Sequence, residues 1–169
     1  HAVETGARIV PLGDPIQPGQ GGPVQIVLDR PIAAAVHDRF ILRDVSASRT
    51  IGGGRFLDLR APARKRRTPE RLALLDAARA EDPAAALAAM LVVAPVDLPA
   101  FARDRSLSPA GLADALRCAD GATIGDLALG RPVLDALQAQ LTDTLTQFHE
   151  GNPDLAGLGR ERLRLQLQP

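Results

Sequence analysis

The hydrophobic pattern changes period once along this chain, near residue 60, and that change limits the fold more than any other feature. Before it, the runs 7–12, 24–28, 34–43 and 51–59 are short, rich in β-branched residues and bounded by Gly, Pro or Asp, which predicts strands. The stretch 13–23, with Gly at 13, 19, 21 and 22 and Pro at 15, 18 and 23, sustains neither period and reads as a loop. Alternation in Val24-Gln-Ile-Val-Leu28 is imperfect, as expected of a strand covered on both faces. Four strands without intervening helices predict an antiparallel barrel or sandwich. Four are few for closure, so at least one more strand is expected upstream.

After residue 67 the period is helical. Thr68-Pro69, Asp82-Pro83, Asp97, Ser108-Pro109 and Arg131-Pro132 are start signals, pairing a capping residue or a first-turn proline with an apolar stripe. The stripes are Leu72 and Leu75; Leu87, Met90 and Leu91; Leu98 and Phe101; Leu112, Leu116 and Ala119; and Leu134, Leu137, Leu141, Leu145 and Phe148. The last barely fills two heptads, so it reads as a core face and not a coiled coil. Pro95 stops the second helix, and Gly125-Asp126 centres a small hairpin with a type II′ turn. Helix, tight turn at 105–108, helix, small hairpin is the winged-helix order, a variant of helix-turn-helix. Residues 157–164 look like the opening of a second such unit.

The expected fold is therefore multidomain β + α: an incomplete antiparallel β-barrel over 1–60, a basic linker at 61–68, a winged-helix domain over 69–150 and the start of another at 151–169. Composition agrees, with 46% hydrophobic and 24% charged residues in 169. No apolar run approaches the roughly 18–20 residues that span a bilayer, so no membrane partner is expected. Cys118 is the only cysteine, which rules out a disulfide scaffold and suits a reducing, cytoplasmic setting; it is expected to be a small buried core residue. The chain opens on His1, not Met, and is expected to be a piece of something longer.

A net charge of zero hides a division. Residues 1–67 hold eleven Lys/Arg against six Asp/Glu; residues 68–169 hold nine against fourteen. The basic half is the better candidate for phosphate contact. Lys65 is the one lysine among 20 basic residues, a bias that a GC-rich coding sequence explains better than an arginine-specific surface. The segment 60–67, with Pro62 and five cations in eight residues, reads as a solvated linker or as a strap whose Arg64, Lys65, Arg66 and Arg67 touch phosphates. With four Phe and neither Trp nor Tyr, platforms for stacking bases are scarce.

Catalytic patterns are few. Gly52-Gly53-Gly54 is followed by Arg55-Phe56, not the Lys and Ser/Thr of a phosphate-cradling loop. Asp154-Leu-Ala-Gly157 matches a D-x-x-G pattern that alone occurs by chance. His1, His37 and His149 lie far apart without companion cysteines and read as satisfied or exposed side chains, so no metal site is expected. Glu70, Glu81 and the scattered Asp residues read as caps and solvated faces.

The most specific stretch is 38–58. Arg43, followed by Arg49-Thr50-Ile51-Gly52-Gly53-Gly54, resembles the closing hairpin of the third domain of translation elongation factors of the Tu group. The longer form, Phe40-Ile-Leu-Arg43-Asp44…Ser46…Thr50-Ile-Gly-Gly-Gly54, is more similar to the selenocysteine-specific elongation factor family. Leu28-Asp-Arg-Pro-Ile-Ala33 fits that family's preceding strand, and Phe148-His-Glu-Gly-Asn-Pro153 with Arg160-Glu-Arg-Leu-Arg164 fits its junction between winged-helix units. His37 departs from it, since the family carries Gly before Asp-Arg.

This resemblance implies an intact protein that binds GTP with Mg, hydrolyses it in a catalytic domain absent here, and delivers selenocysteinyl-tRNA to the ribosome at UGA codons. Distal winged-helix units, also absent, would hold an mRNA hairpin. The fragment itself would be no enzyme and a monomer. Carried over residue by residue, tRNA contact falls on Arg43, Asp44, Arg49 and Thr50, with residues 68–169 as a spacer. A competing reading is a winged-helix transcription regulator with an N-terminal β module. Its recognition helix would offer only Arg117 as a cation, fewer than a DNA-reading helix brings.

Overall fold

The computed structural model describes residues 3–167, so His1 and the other terminal residues lie outside the description. Two antiparallel hairpins come first. Strands β1 (Ala7–Pro11) and β2 (Val24–Leu28) pair with Ala7 opposite Leu28 and Pro11 opposite Val24. Strands β3 (Arg39–Arg43) and β4 (Thr50–Arg55) pair from Arg39 opposite Arg55 to Arg43 opposite Thr50, with a bulge between Leu42 and Arg43. Among the described residues the two hairpins form separate two-stranded sheets, and no closed barrel exists. Between them is an open concavity lined by Ile9, Leu12, Ile26, Leu28, Phe40 and Leu42. Of these six only Leu12 is fully buried. Strand β2 is accordingly half-covered at every position, not buried on both faces.

The predicted strand over 34–43 starts late, at Arg39, because residue 37 turns the chain. His37 has φ +74°, in the left-handed region that L-residues enter at a cost of about 1–2 kcal/mol. Glycine pays nothing there, which is the physical reason a glycine suits this position. The histidine uses its side chain instead: its Nε2 lies 3.1 Å from the Ala80 carbonyl oxygen, in the other half of the molecule.

The helical half follows the start signals. Helices α1 (Pro69–Ala77), α2 (Pro83–Val93), α3 (Leu98–Asp104) and α4 (Pro109–Ala119) are capped by Thr68, Asp82, Asp97 and Ser108. In each, the capping oxygen accepts from the backbone N–H three residues on. Strands β6 (Ala122–Ile124) and β7 (Leu127–Leu129) form the expected wing. Gly125 has φ +59° while Asp126 is not in the positive region, the pattern of a type II′ turn. A two-residue strand, β5 (Val96–Asp97), was not legible in the sequence; it pairs with β7 and makes a three-stranded sheet of order β5-β7-β6.

The core lies here. Ala86, Leu87, Leu91, Val96, Leu98, Phe101, Ala115, Ala119 and Ala128 pack into one buried cluster. Small residues on α4 let it approach α2 closely, so its buried line runs through Ala115 and Ala119, while Leu112 and Leu116 are half-buried. That line leaves Cys118 on the solvent side, and the thiol is exposed, not a core residue.

The long helix α5 (Arg131–Gly151) departs from expectation. None of its residues is buried: Leu134, Leu137, Leu141, Leu145 and Phe148 are all half-exposed, because α2 is the principal neighbour of the helix. Its stripe is thus an amphipathic face only partly covered, and Phe148 packs edge-on against His149. A short α6 (Arg160–Gln166) follows.

Candidate nucleic-acid interface

The hairpin β3–β4 owes its shape to what its glycines omit. A Cβ on Gly54 would sit 2.7 Å from the Phe40 ring, and one on Gly53 would sit 2.7 Å from the Phe40 carbonyl oxygen. The ring of Phe40 therefore lies over bare backbone on the inner face, with Phe56 at 5.0 Å between centroids. Alternation then sends Arg39, Ile41 and Arg43 outwards, and all three are exposed.

At the tip, Asp44 organises the loop. Its carboxylate accepts from the Ser48 N–H at 2.8 Å, the Ser48 hydroxyl at 2.9 Å and the Arg49 N–H at 3.2 Å. Its own N–H donates to the Arg49 carbonyl, closing the hairpin, while Ala47 takes a positive φ of 54°. The Arg49 N–H foremost, then the Ser48 hydroxyl, hold this carboxyl below its ordinary range, so it stays ionised. Arg43 and Thr50 are cross-strand partners, and Arg43, Arg49 and Thr50 are all exposed. The fold thus brings the four residues together at one hairpin end. Three have exposed side chains, and the fourth spends its oxygens shaping the turn.

The basic segment is less free than it looks. Arg66 Nε donates to the Ala63 carbonyl at 2.9 Å, and an Arg67 nitrogen donates to the Pro11 carbonyl at 2.8 Å, tying the segment to β1. Lys65 has φ +53°, and both Arg64 and Lys65 are exposed. Arg49 and Arg66 rim the same concavity between the hairpins; Arg43, Arg64, Lys65 and Arg67 are not part of its lining.

Charge pairing sharpens the division between halves. Arg55 pairs with Glu81, Arg60 with Asp104, and Arg71 with Asp58, each bridging the β half and the helical half. Within the helical half Arg79, just past α1, pairs with Asp76 at the end of that helix, and Arg117, Arg131 and Arg164 pair with carboxylates on their own helices. Arg105 is spent internally: it donates to the Ala78 carbonyl at 2.9 Å and the Ala80 carbonyl at 3.1 Å, and its guanidinium lies 5.3 Å from the centre of the Phe101 ring. Those carbonyls close α1, where a cation also answers the negative end of the helix. Burial pulls the Arg105 pKa down from its ordinary value, and the guanidinium stays protonated. Burial likewise pushes the Asp104 carboxyl upward, outweighing the attraction of Arg60.

Among the described residues, then, Arg8, Arg30, Arg39, Arg43, Arg49, Arg64, Lys65, Arg66 and Arg67 have no carboxylate within ion-pair distance. These nine belong to the β half; in the helical half Arg103, Arg160 and Arg162 also have none, and Arg105 is taken up by carbonyls. Sequence reasoning missed Arg39, Arg55 and Glu81 at the far end of the hairpin; the strand alternation that placed Phe40 and Leu42 inward was the available signal. Gly52, Gly53 and Gly54 lie within paired strand β4, not in a loop before a helix, so they do not fit a nucleotide-phosphate cradle. The described residues contain no group of three or more His, Cys, Asp or Glu able to hold a metal ion.

The chain thus joins a domain of two hairpins, which carries most of the unpaired cations among the described residues, to a winged helix. The domain family described as "Selenocysteine-specific elongation factor, beta-barrel domain" matches residues 1–63. The one described as "Elongation factor SelB, winged helix" matches residues 142–169, starting within α5. The chain is 38% identical over 146 residues, 86% of its length, to the selenocysteine-specific elongation factor of Escherichia coli (strain K12). It belongs to the selenocysteine-specific elongation factor family. The aligned part covers 24% of that relative's length.

Proposed function

We propose that this chain is the middle of a GTP-dependent elongation factor that delivers selenocysteinyl-tRNA to the ribosome at UGA codons in the cytoplasm. The observation that carries this reading is the family match at both ends of the chain, with identity running through both halves. GTP and Mg belong to a catalytic domain outside this chain, and the mRNA hairpin to winged-helix units beyond it. Within the chain, domain 1–60 supplies part of the tRNA-contacting surface through Arg43, Arg49 and Thr50, with Asp44 holding the loop. Segment 61–68 connects to the winged helix 69–150, and 151–169 begins the next unit. Arginines in such a surface would grip phosphate and ribose, fixing position without reading bases.

The helical half acts as a spacer in this reading. Five of its nine cations are in ion pairs and Arg105 is bound to carbonyls, so little is left for RNA. The transcription-regulator reading weakens for the same reason: Arg117, the one cation on α4, pairs with Asp114.

Arg49→Ala tests the proposal. Losing a charge-assisted hydrogen bond to phosphate is expected to weaken tRNA binding at low salt by about 1–2 kcal/mol. Filter binding with a tRNA transcript reads this directly. Equal affinity for variant and parent would remove Arg49 from the surface.

A further inference from the structure

The hairpin carries a second cationic end that the tip does not explain. Arg39 and Arg55 are direct cross-strand partners. Cross-strand partners share a face of the sheet, and like charges placed opposite one another disfavour the pairing. One of the two is answered from the other half of the molecule: Glu81, between α1 and α2, holds Arg55 at 2.5 Å. This ion pair is open to water, with side chains 41% and 74% exposed, so it is weakly held and readily exchanged. Arg39 has no carboxylate within ion-pair distance among the described residues. Two guanidinium groups thus share one internal anion.

The ground between the two ends suits an extended anionic backbone. Arg39 and Arg43 leave the same face of β3, four residues or about 13–14 Å apart. Between them lies Ile41, 72% exposed, opposite Gly53, where a Cβ would collide with the Phe40 carbonyl. Nothing larger than hydrogen fits at Gly53, so β4 adds no side chain there and Ile41 alone stands between the cations. Thr50, opposite Arg43, adds a hydroxyl at the tip end.

We infer that the RNA backbone lies along the whole outer face of β3–β4, with Arg39 and Arg55 as a second phosphate contact for which Glu81 is an internal competitor. The inference rests on the reading of this hairpin as a tRNA surface and extends it from the tip to the far end. Its consequence is a link between the halves. A phosphate arriving at Arg55 displaces Glu81, and with it one of the three ion pairs that join the β half to the helices. Glu81 in turn lowers the affinity of the free chain for RNA.

The test is a salt series of fluorescence-anisotropy titrations of the 169-residue chain with a labelled tRNA transcript, using Arg39→Ala, Glu81→Gln and Arg49→Ala. Arg39→Ala is expected to weaken binding about 5–10-fold at the lowest salt, and to lower the salt slope by about 0.7–0.9, the value of one phosphate contact. Glu81→Gln is expected to tighten binding about 3-fold, because Arg55 is released. If Arg49→Ala weakens binding while Arg39→Ala and Glu81→Gln match the parent in affinity and slope, the contact is confined to the tip and the inference is overturned. If Arg39→Ala alone has an effect, Glu81 is no competitor and that part fails. Absence of any tRNA binding by the parent chain overturns this inference and the reading on which it rests.

Discussion

Leu87→Ala is expected to lower the stability of the helical half by about 3–4 kcal/mol, the largest effect of any single substitution considered for this chain. Leu87 is fully buried on α2, at the centre of the cluster formed with α4 and the three-stranded sheet. Truncation removes methyl groups from a site enclosed by Leu91, Phe101 and Ala115, so it loses transfer free energy and leaves a cavity as well. Leu91 and Val96 sit on short, multiply anchored elements and have little freedom to fill it. For a domain of this size such a loss is a large share of total stability and shifts the thermal midpoint by more than about 10 °C. Val92→Ala, at a position 62% exposed one residue before the end of α2, is the control and should change stability by less than about 0.5 kcal/mol. Thermal unfolding followed by circular dichroism separates the two. Equal shifts would mean that the core is not where the structure puts it.

Gly130→Ala is expected to cost about 2–3 kcal/mol for a different reason. Gly130 precedes α5 and lies against the end of α2: a Cβ there would come within 2.2 Å of the Leu91 carbonyl oxygen and 2.8 Å of its carbon. Its φ of −79° suits any residue, so space and not conformation excludes the side chain. The obstacle is backbone, which cannot swing aside as a side-chain end would. Either α5 or the end of α2 must move. Because α5 carries the chain from the wing towards the residues matched by the second winged-helix pattern, the same change should alter the direction in which it leaves the domain. Urea unfolding measures the first effect. A midpoint unchanged from the parent would show that α5 does not pack on α2 as closely as described.

How much of this was legible in the sequence depends on where each piece of information resides. Helix starts were readable because each carries its own signal: Thr68-Pro69, Asp82-Pro83 and Ser108-Pro109 specify a cap and a first turn without help from the rest of the chain. The wing was readable for the same reason, through Gly125. Strand β5 was not, since two residues have no period of their own and Val96 becomes a strand only because Ala128 lies opposite. The start of β3 was overrun because Ala34, Ala35 and Val36 suit a strand locally, while the turn at His37 is held by a carbonyl 43 residues away. The stripe of α5 gave the helix and its phase, but a stripe cannot say what covers it, and here little does. Cys118 failed through rotation of α4 by the small residues Ala115 and Ala119, which set the packing line instead of the leucines.

The site divides along the same line. Residues 39–55 were legible as strand, turn and strand, while the alternation that sends Arg39, Ile41 and Arg43 outwards was available but not read. The work of Asp44 in the turn follows from local hydrogen bonds that an Asp before Ser and Arg can make. By contrast, the pairing of Arg55 with Glu81 and of Arg105 with the carbonyls of Ala78 and Ala80 joins positions about 26 residues apart with no pattern between them. Such contacts exist only in the folded molecule, the first between the two halves and the second between elements of the helical half. They decide which arginines are left unpaired, and so the sequence-level charge difference separated the halves without singling out the unpaired cations of the first.

The central claim is that RNA meets this chain on the β3–β4 hairpin and not on the winged helix. Amide hydrogen exchange of the 169-residue chain, with and without a saturating tRNA transcript at low salt, tests it in one measurement. Added protection is expected across residues 39–55, greatest around Asp44 and Arg49, with residues 98–130 unchanged. Protection concentrated in α4 and the wing, with the hairpin unaffected, would contradict the account and move the RNA surface into the helical half.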